Sequence, residues 1–314
     1  MKKIGLIFPG QGAQYVGMGK DLCAQSTEAR QIFDWADQKL GFSISKICFE
    51  GPEDTLTRTV HAQLAIFVTS LAALTAIRTR CPQLRVDFGC GLSLGEFTAL
   101  VALEAVSLDD GLSIVRQRGE LMEVACQKSP GTMASILNLS LDGCRKVCER
   151  SGAEIANINS PSQIVLSGSQ EAIARAIIAA KEEGAKRAIP LNVGGAFHSS
   201  LMSSAREGLE VALQAIEIQK PNGVFIPNVT GKPVSEPGEI RSLLARQLTS
   251  SVEWVQSMRT AAEMGFQELV EVGPGKVLKG LAKKIDSSIN VSNVSSNDEL
   301  EHFSATLSGV LNDT

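Results

Sequence analysis

The sequence predicts an α/β fold: a large domain on a mostly parallel sheet, with a ferredoxin-like small domain inserted into it. Three observations predict this. Short apolar runs alternate with amphipathic helical stretches along most of the chain, the pattern of strands covered by helices. Near Pro130 the alternation gives way to a compact β-α-β-β-α-β order, the ferredoxin-like unit. The chain has 314 residues, enough for one large domain carrying a smaller one. The expected large domain covers 1–127 and 195–314, and the expected insertion covers 128–194.

Each element has a local reason. KIGLIF (3–8) is an apolar run stopped by Pro9-Gly10 and reads as a buried first strand. The stop comes too early for the apolar core of a signal peptide. AQLAIFVTSLAALTAIRTR (62–80) is apolar nearly all round and reads as a buried helix. VDFGCG (86–91) is a strand and LGEFTALVAL (94–103) the helix after it. DDGLSIVRQRGELMEVAC (109–126) is a second helix, with Asp109 expected as its cap.

In the insertion, TMASILNL (132–139) is a strand, and SLDGCRKVCERSG (140–152) is a helix ended by Gly152. AEIANIN (153–159) and SQIVLSG (162–168) are strands around a Ser160-Pro161-Ser162 turn. SQEAIARAIIAAKEEG (169–184) is a helix that stops at Gly184, and AKRAIPLN (185–192) is the last strand. Beyond it, 198–216 is helical and GVFIPNVTG (223–231) is a strand with a turn. ELVEVGPGKVLKGLAKKI (268–285) is strand, tight turn and helix, and the remainder holds a short strand and a closing helix.

Composition narrows the function. A net charge of −4 argues against non-specific nucleic-acid binding, which needs a basic surface. No apolar stretch reads as long and uninterrupted enough to span a membrane. Seven cysteines without a C-x-x-C pair fit free thiols in a reducing cytoplasm. Cys144 and Cys148 share a helix face at i, i+4, with no histidine near, so packing is expected there and no metal site.

The chemistry points to Gly91-Leu92-Ser93-Leu94-Gly95, a G-x-S-x-G pattern between a strand and a helix. Such an α/β-hydrolase-like elbow lifts a serine hydroxyl off the sheet, and the flanking glycines permit the cramped turn. The N–H of Leu94, at a helix start, can then donate to an oxyanion. The same pattern also fits a glycine-rich βα turn with a capping serine. A serine nucleophile needs a base, and the chain has three histidines. His302 sits in the polar closing helix, where a solvent-facing ring is expected. His61 starts the long apolar helix, where a cap or surface role is the plain reading. His198 lies in a glycine-rich loop entering a helix, a favoured setting for a catalytic residue. An ordinary α/β-hydrolase would place its base late, after an acid, which would select His302, but the helical setting suits that poorly. His198 is the better base.

The residues FPGQGAQYVGMG, GLSLGE, RQRGELM, NINSPSQIVLSG, GAFHSSLM and VEVGPGKVL occur in that order. In this the chain resembles the malonyl-CoA:acyl carrier protein transacylases, from about Lys3 to Ile285. The resemblance implies a ping-pong reaction: Ser93 takes the malonyl group from malonyl-CoA with His198 as base, then passes it to the phosphopantetheine thiol of acyl carrier protein. That would supply extender units for fatty-acid synthesis. It implies oxyanion donors in the backbone N–H groups of Gln11 and Leu94. It implies a backbone carbonyl, that of Gln247, orienting the histidine. It implies that Arg118 pairs with the malonyl carboxylate and that Phe197 belongs to a malonyl-type signature. Without the resemblance, Arg118 reads as a surface ion pair on its helix. The family pattern implies no cofactor, no metal, a cytoplasmic monomer, and partners limited to the two substrates, with no nucleic acid and no membrane.

Two departures stand out. Leu92 replaces the histidine of the usual G-H-S-x-G, and Ser251 stands where many relatives carry proline, which puts the rigidity of that loop in question. A serine thioesterase or esterase, with water as acceptor, is the alternative from another class. An idle carrier-binding module is a third.

Overall fold

The computed structural model describes residues 3–312. Among the described residues nine strands run in chain order: β1 (Ile4–Phe8), β2 (Phe88–Gly91), β3 (Thr132–Leu137), β4 (Glu154–Ser160), β5 (Gln163–Gly168), β6 (Arg187–Pro190), β7 (Val224–Phe225), β8 (Glu268–Val272) and β9 (Asn290–Val294). They form two sheets. The larger has the order β7-β2-β1-β8-β9, and all its pairings are parallel. β1 and β2 pair with Ile7 opposite Cys90 and Phe8 opposite Gly91. A parallel sheet is covered on both faces, so its strands are apolar throughout. Accordingly β2 is wholly buried and β1 is buried from Gly5 onward.

The smaller sheet has the order β4-β5-β3-β6 and is antiparallel. Two helices, Leu141–Ser151 and Gln170–Glu182, join its strands. This is the ferredoxin-like arrangement that the element order predicts. Gly152 ends the first of these helices at φ 76°, and its N–H donates to the carbonyl of Cys148, a backbone position suited to glycine. Its own apolar cluster, with Ala134, Ile136, Val147, Leu166 and Ile173, packs between sheet and helices.

Three expectations change. The helix Leu108–Lys128 is capped by Ser107, whose hydroxyl accepts the N–H of Asp110, and not by Asp109. Asp109 instead accepts hydrogen bonds from Trp35 and Lys39. The helix Thr59–Arg80 is, by length and composition, long and apolar enough to cross a membrane, contrary to the sequence reading. Here its apolar surface is taken up by packing, with 83% of its most apolar window buried. The segment 223–231 is a strand only at Val224–Phe225, and the rest is a loop. Six helices not read from the pattern complete the large layer: Lys20–Gln25, Thr27–Leu40, Ile44–Glu50, Glu53–Thr57, Pro237–Gln247 and Trp254–Glu263.

The small sheet is stitched to the loop by which the chain leaves the helix Pro237–Gln247. Val252 forms a parallel bridge with Asn157 of β4. Its N–H donates to Ala156 O at 2.8 Å, and its carbonyl accepts from Ile158 N at 2.9 Å. Ser251 adds a hydroxyl bond to Ile155 O at 2.5 Å. The residue that stands in place of proline thus fastens its loop by a hydrogen bond.

At the end of β2 the chain turns in very little space. A Cβ on Gly91 would overlap the carbonyl of Gly95, and one on Gly95 would overlap the carbonyl oxygen of Phe8. Neither obstacle is a flexible side chain, so the backbone itself would have to move. Gly91→Ala should therefore destabilise the fold by about 1–3 kcal/mol or more, the usual penalty of overpacking. Urea unfolding of the two proteins measures it, and an unchanged midpoint would contradict this account of the turn.

Candidate active site

Ser93 lies two residues beyond the end of β2 and adopts φ 53°, in the left-handed region. The helix Gly95–Ala102 begins two residues later. Asn228, in the loop after β7, clamps this turn. Its Oδ1 accepts the Ser93 N–H at 2.6 Å, and its Nδ2 donates to Gly91 O at 2.7 Å. Its own N–H donates to the carboxylate of Glu96. The serine is thus held by its backbone, and its hydroxyl is left to point into a cavity.

His198 reaches that hydroxyl from the loop before the helix Ser203–Gln214, with Nε2 2.9 Å from Ser93 Oγ. Nδ1 lies 2.9 Å from the backbone carbonyl of Gln247. A carbonyl can only accept, so the proton sits on Nδ1 and Nε2 is free to take one from the serine. Burial holds the imidazole down at about 4, helped by the charge of Arg118 and opposed by the backbone groups of Gln247 and Ser250. The ring is therefore neutral at neutral pH, the state a general base requires.

Arg118 is 1% exposed, so the surface ion pair does not form. One of its terminal nitrogens donates to Gln63 Oε1 at 2.6 Å. The other donates to Ser93 Oγ at 2.9 Å and Gln247 Oε1 at 2.8 Å. The guanidinium lies over the Phe97 ring, 5.5 Å from its centroid, a favourable cation–π distance. Its Nε has no hydrogen-bond partner among the described residues. Burial lowers its pKa to about 10, which leaves it a cation at neutral pH. Among the described residues no carboxylate is bonded to it directly.

A cavity of about 430 Å³ opens onto these groups. Gln11, Ser93, Leu94, Arg118, Phe197 and His198 all line it, and Met133, Asn157 and Val165 close it from the small sheet. Gln247 does not line it and is fully buried. Neither Gln11 nor Leu94 has its backbone N–H taken by an acceptor among the described residues. His61 is elsewhere, with Nδ1 2.8 Å from Thr55 O, and His302 is exposed on the closing helix. All seven cysteines are unpaired. Among the described residues no group of three or more His, Cys, Asp and Glu side chains is placed to hold a metal ion.

The comparisons agree with one another. Residues 6–300 match the family model of the acyl transferase domain. A malonyl CoA-acyl carrier protein transacylase of Bacillus subtilis (strain 168) is 40% identical over 312 residues, 98% of either chain. The crystal structure of an acyl-carrier-protein S-malonyltransferase from Bartonella henselae superposes with a TM-score of 0.93 at 37% identity. It covers 98% of this chain and 99% of that one. A malonyl-transacylase solved in complex with a type II PKS acyl-carrier protein gives 0.91 at 33% identity, covering 96% and 98%. The chain belongs to the malonyl-CoA:acyl carrier protein transacylases.

In this transacylase the side chain of Leu92 packs against the apolar cluster that includes Ile226 and Val252. Its N–H donates to Phe8 O at 3.0 Å. The residue that departs from the family motif therefore makes no hydrogen bond to the dyad through its side chain.

Sequence reasoning missed three residues of the transacylase site: Gln63, Glu96 and Asn228. Two of them carry a signal. Gln63 and Glu96 are an amide and a carboxylate inside stretches otherwise made of apolar residues and small hydroxyls, and both are fully buried. Asn228 carries none, because a loop asparagine has many ordinary reasons to be there.

The buried, neutral state of His198 sets the acid limb of the reaction. Serine acylation by acetyl-CoA, which brings no carboxylate to the site, should stay level as the pH falls through 6.5, histidine's ordinary value, and decline only near 4, where the ring takes up a proton. The profile of kcat/KM, which reports the free enzyme, checks this. A decline centred near 6.5 would show an imidazole open to water.

Proposed function

We propose that this chain transfers the malonyl group of malonyl-CoA to the phosphopantetheine thiol of acyl carrier protein through a malonyl ester on Ser93. One observation carries the reading: Ser93 Oγ lies 2.9 Å from His198 Nε2 and 2.9 Å from an Arg118 terminal nitrogen. A nucleophile, its base and a cation suited to a carboxylate converge on one atom. The charge and planar fork of a guanidinium favour an acyl group that ends in a carboxylate.

In the first half-reaction Ser93 Oγ attacks the thioester carbonyl and gives its proton to His198 Nε2. The backbone N–H groups of Gln11 and Leu94 stabilise the oxyanion. The C–S bond breaks, and the departing CoA sulfur takes the proton from His198. In the second, the carrier thiol gives its proton to His198 and its sulfur attacks the ester. The C–O bond breaks and Ser93 recovers its hydrogen. The backbone carbonyl of Gln247 keeps the imidazole in the required tautomer throughout. Phe197 shapes the acyl end of the cavity.

The relative solved with its carrier protein supports transfer over hydrolysis as the main outcome. We take the small domain as 128–194, inserted between 1–127 and 195–314, because the antiparallel sheet falls within it and the cavity lies along its border. The reading places a monomer in the cytoplasm, a compartment suited to seven unpaired thiols. It needs no cofactor beyond the two substrates.

Two outcomes test this. Mixing with malonyl-CoA should add one malonyl group to the native protein, seen by intact-protein mass spectrometry, and none to Ser93→Ala. An adduct that persists in the variant would remove Ser93 from the mechanism.

Arg118→Ala should lower malonyl transfer by about 2–5 kcal/mol, roughly 30- to several-thousand-fold, because one side of a buried pair is gone. Acetyl-CoA should gain in relative terms, since it has no carboxylate to pair. Measuring kcat/KM for both esters decides the matter. An unchanged ratio would mean that another residue reads the carboxylate.

A further inference from the structure

We propose that Glu96 is a positioning residue for malonyl recognition: it aims the side-chain amide of Gln247, and through that amide the guanidinium of Arg118. The inference rests on the acyl transfer proposed above and names a residue that acts behind it.

Glu96 lies three residues after the nucleophile, in the first turn of the helix Gly95–Ala102, and is fully buried. One of its oxygens accepts the Asn228 N–H. The other accepts a hydrogen of Gln247 Nε2. The second hydrogen of Nε2 goes to the backbone oxygen of Ser93 at 2.9 Å. Both amide hydrogens are then engaged, and Gln247 Oε1 is left facing Arg118 at 2.8 Å.

An amide has one accepting end and one donating end. Turned over, Gln247 would set its oxygen against the oxygens of Ser93 and Glu96 and its NH₂ against the guanidinium. The Ser93 carbonyl and the Glu96 carboxylate together exclude that arrangement. Only Glu96 adds a charge. The row carboxylate, amide, guanidinium is aligned head to tail, negative at one end and positive at the other. The positive end borders the cavity, where a malonyl carboxylate would meet it.

The charge state of Glu96 therefore matters. A proton on its inner oxygen would put an O–H where the amide now donates, and the amide would have to turn. Burial pushes this carboxyl up to about 8, against the N–H donors of Asn228 and Gln247 and the charge of Arg118. The other titratable group facing it is the thiol of Cys90, which burial pushes well above its ordinary value. His198 is hydrogen-bonded to the backbone carbonyl of Gln247, not to its amide, and is neutral over this range.

The test uses Glu96→Gln, which keeps the shape and replaces an accepting oxygen by a donor. Acylation of Ser93 by malonyl-CoA and by acetyl-CoA is measured as kcat/KM in four proteins: native, Glu96→Gln, Arg118→Ala and the double variant. The expected result is a fall in the malonyl-to-acetyl ratio of about ten- to a hundredfold in Glu96→Gln, the worth of a hydrogen bond to a charged group. In the Arg118→Ala background the same change should leave the ratio alone, because the residue acted upon is missing. Equal losses on both substrates in both backgrounds would overturn the proposal and make Glu96 a merely structural group. If the native protein shows no malonyl preference, the acyl-transfer reading itself has failed, and that is seen before any variant is made. Should Glu96→Gln not fold, the native protein still decides. Its ratio should rise as the pH increases through about 8, and a flat ratio overturns the proposal.

Discussion

The left-handed backbone of Ser93, held by two hydrogen bonds to one asparagine, is the constraint on which the rest of the site depends. An L-residue in this conformation costs roughly 1–2 kcal/mol. The clamp by Asn228, at 2.6 and 2.7 Å, offsets that cost and fixes the turn at the serine and just before it. His198 also stands in the left-handed region, at φ 57°. Both members of the dyad are thus aimed by strained main chain that its surroundings over-determine. Such placement leaves few rotamers to adjust, so the 2.9 Å separation of the two reacting atoms follows from the backbone.

Arg118 presents the opposite kind of problem. A buried cation without a directly bonded carboxylate is costly, and here its partners are neutral oxygens of Gln63, Gln247 and Ser93. These bonds hold the guanidinium in place without neutralising it. A salt bridge would have made the residue more comfortable and would have consumed the charge. The cation that remains suits an anionic ligand, and the apolar core around it must supply the stability it withholds.

Much of the fold was legible because it is written in local periods. Alternation of apolar runs with helices revealed the parallel sheet, and the β-α-β-β-α-β order revealed the insertion. The elbow showed in five residues, Gly91 to Gly95. The helix Thr59–Arg80 was ambiguous for a physical reason: a helix buried on every face has no polar stripe, so core and membrane composition converge. Arg118 could have been read better. It falls on the buried stripe of its helix with Val115, Met122 and Ala125, a poor place for a surface ion pair. Asn228 and Gln247 are another matter. They meet Ser93 across 135 and 154 residues of chain, and no local pattern reports which distant loop the topology will bring to a turn. Only the ordered set of motifs, through the family resemblance, singled out Gln247, and it assigned a role to the backbone carbonyl alone.

That side chain and that carbonyl make Gln247 the point where the two halves of the site are coordinated. Its carbonyl sets the tautomer of the base, and its amide sets the cation. Four and five residues later the same chain is stitched to the small sheet, through Ser251 to Ile155 and through Val252 to Ala156 and Ile158. The small sheet also forms one wall of the cavity, with Asn157 beside the stitch. A displacement of that sheet would therefore act on the cavity wall and on the loop that aims His198 at once. The hydroxyl of Ser251 stiffens this loop by tying it to the small sheet. Rigidity here comes from the contact between domains, and the geometry of the base is coupled to the width of the cleft it serves.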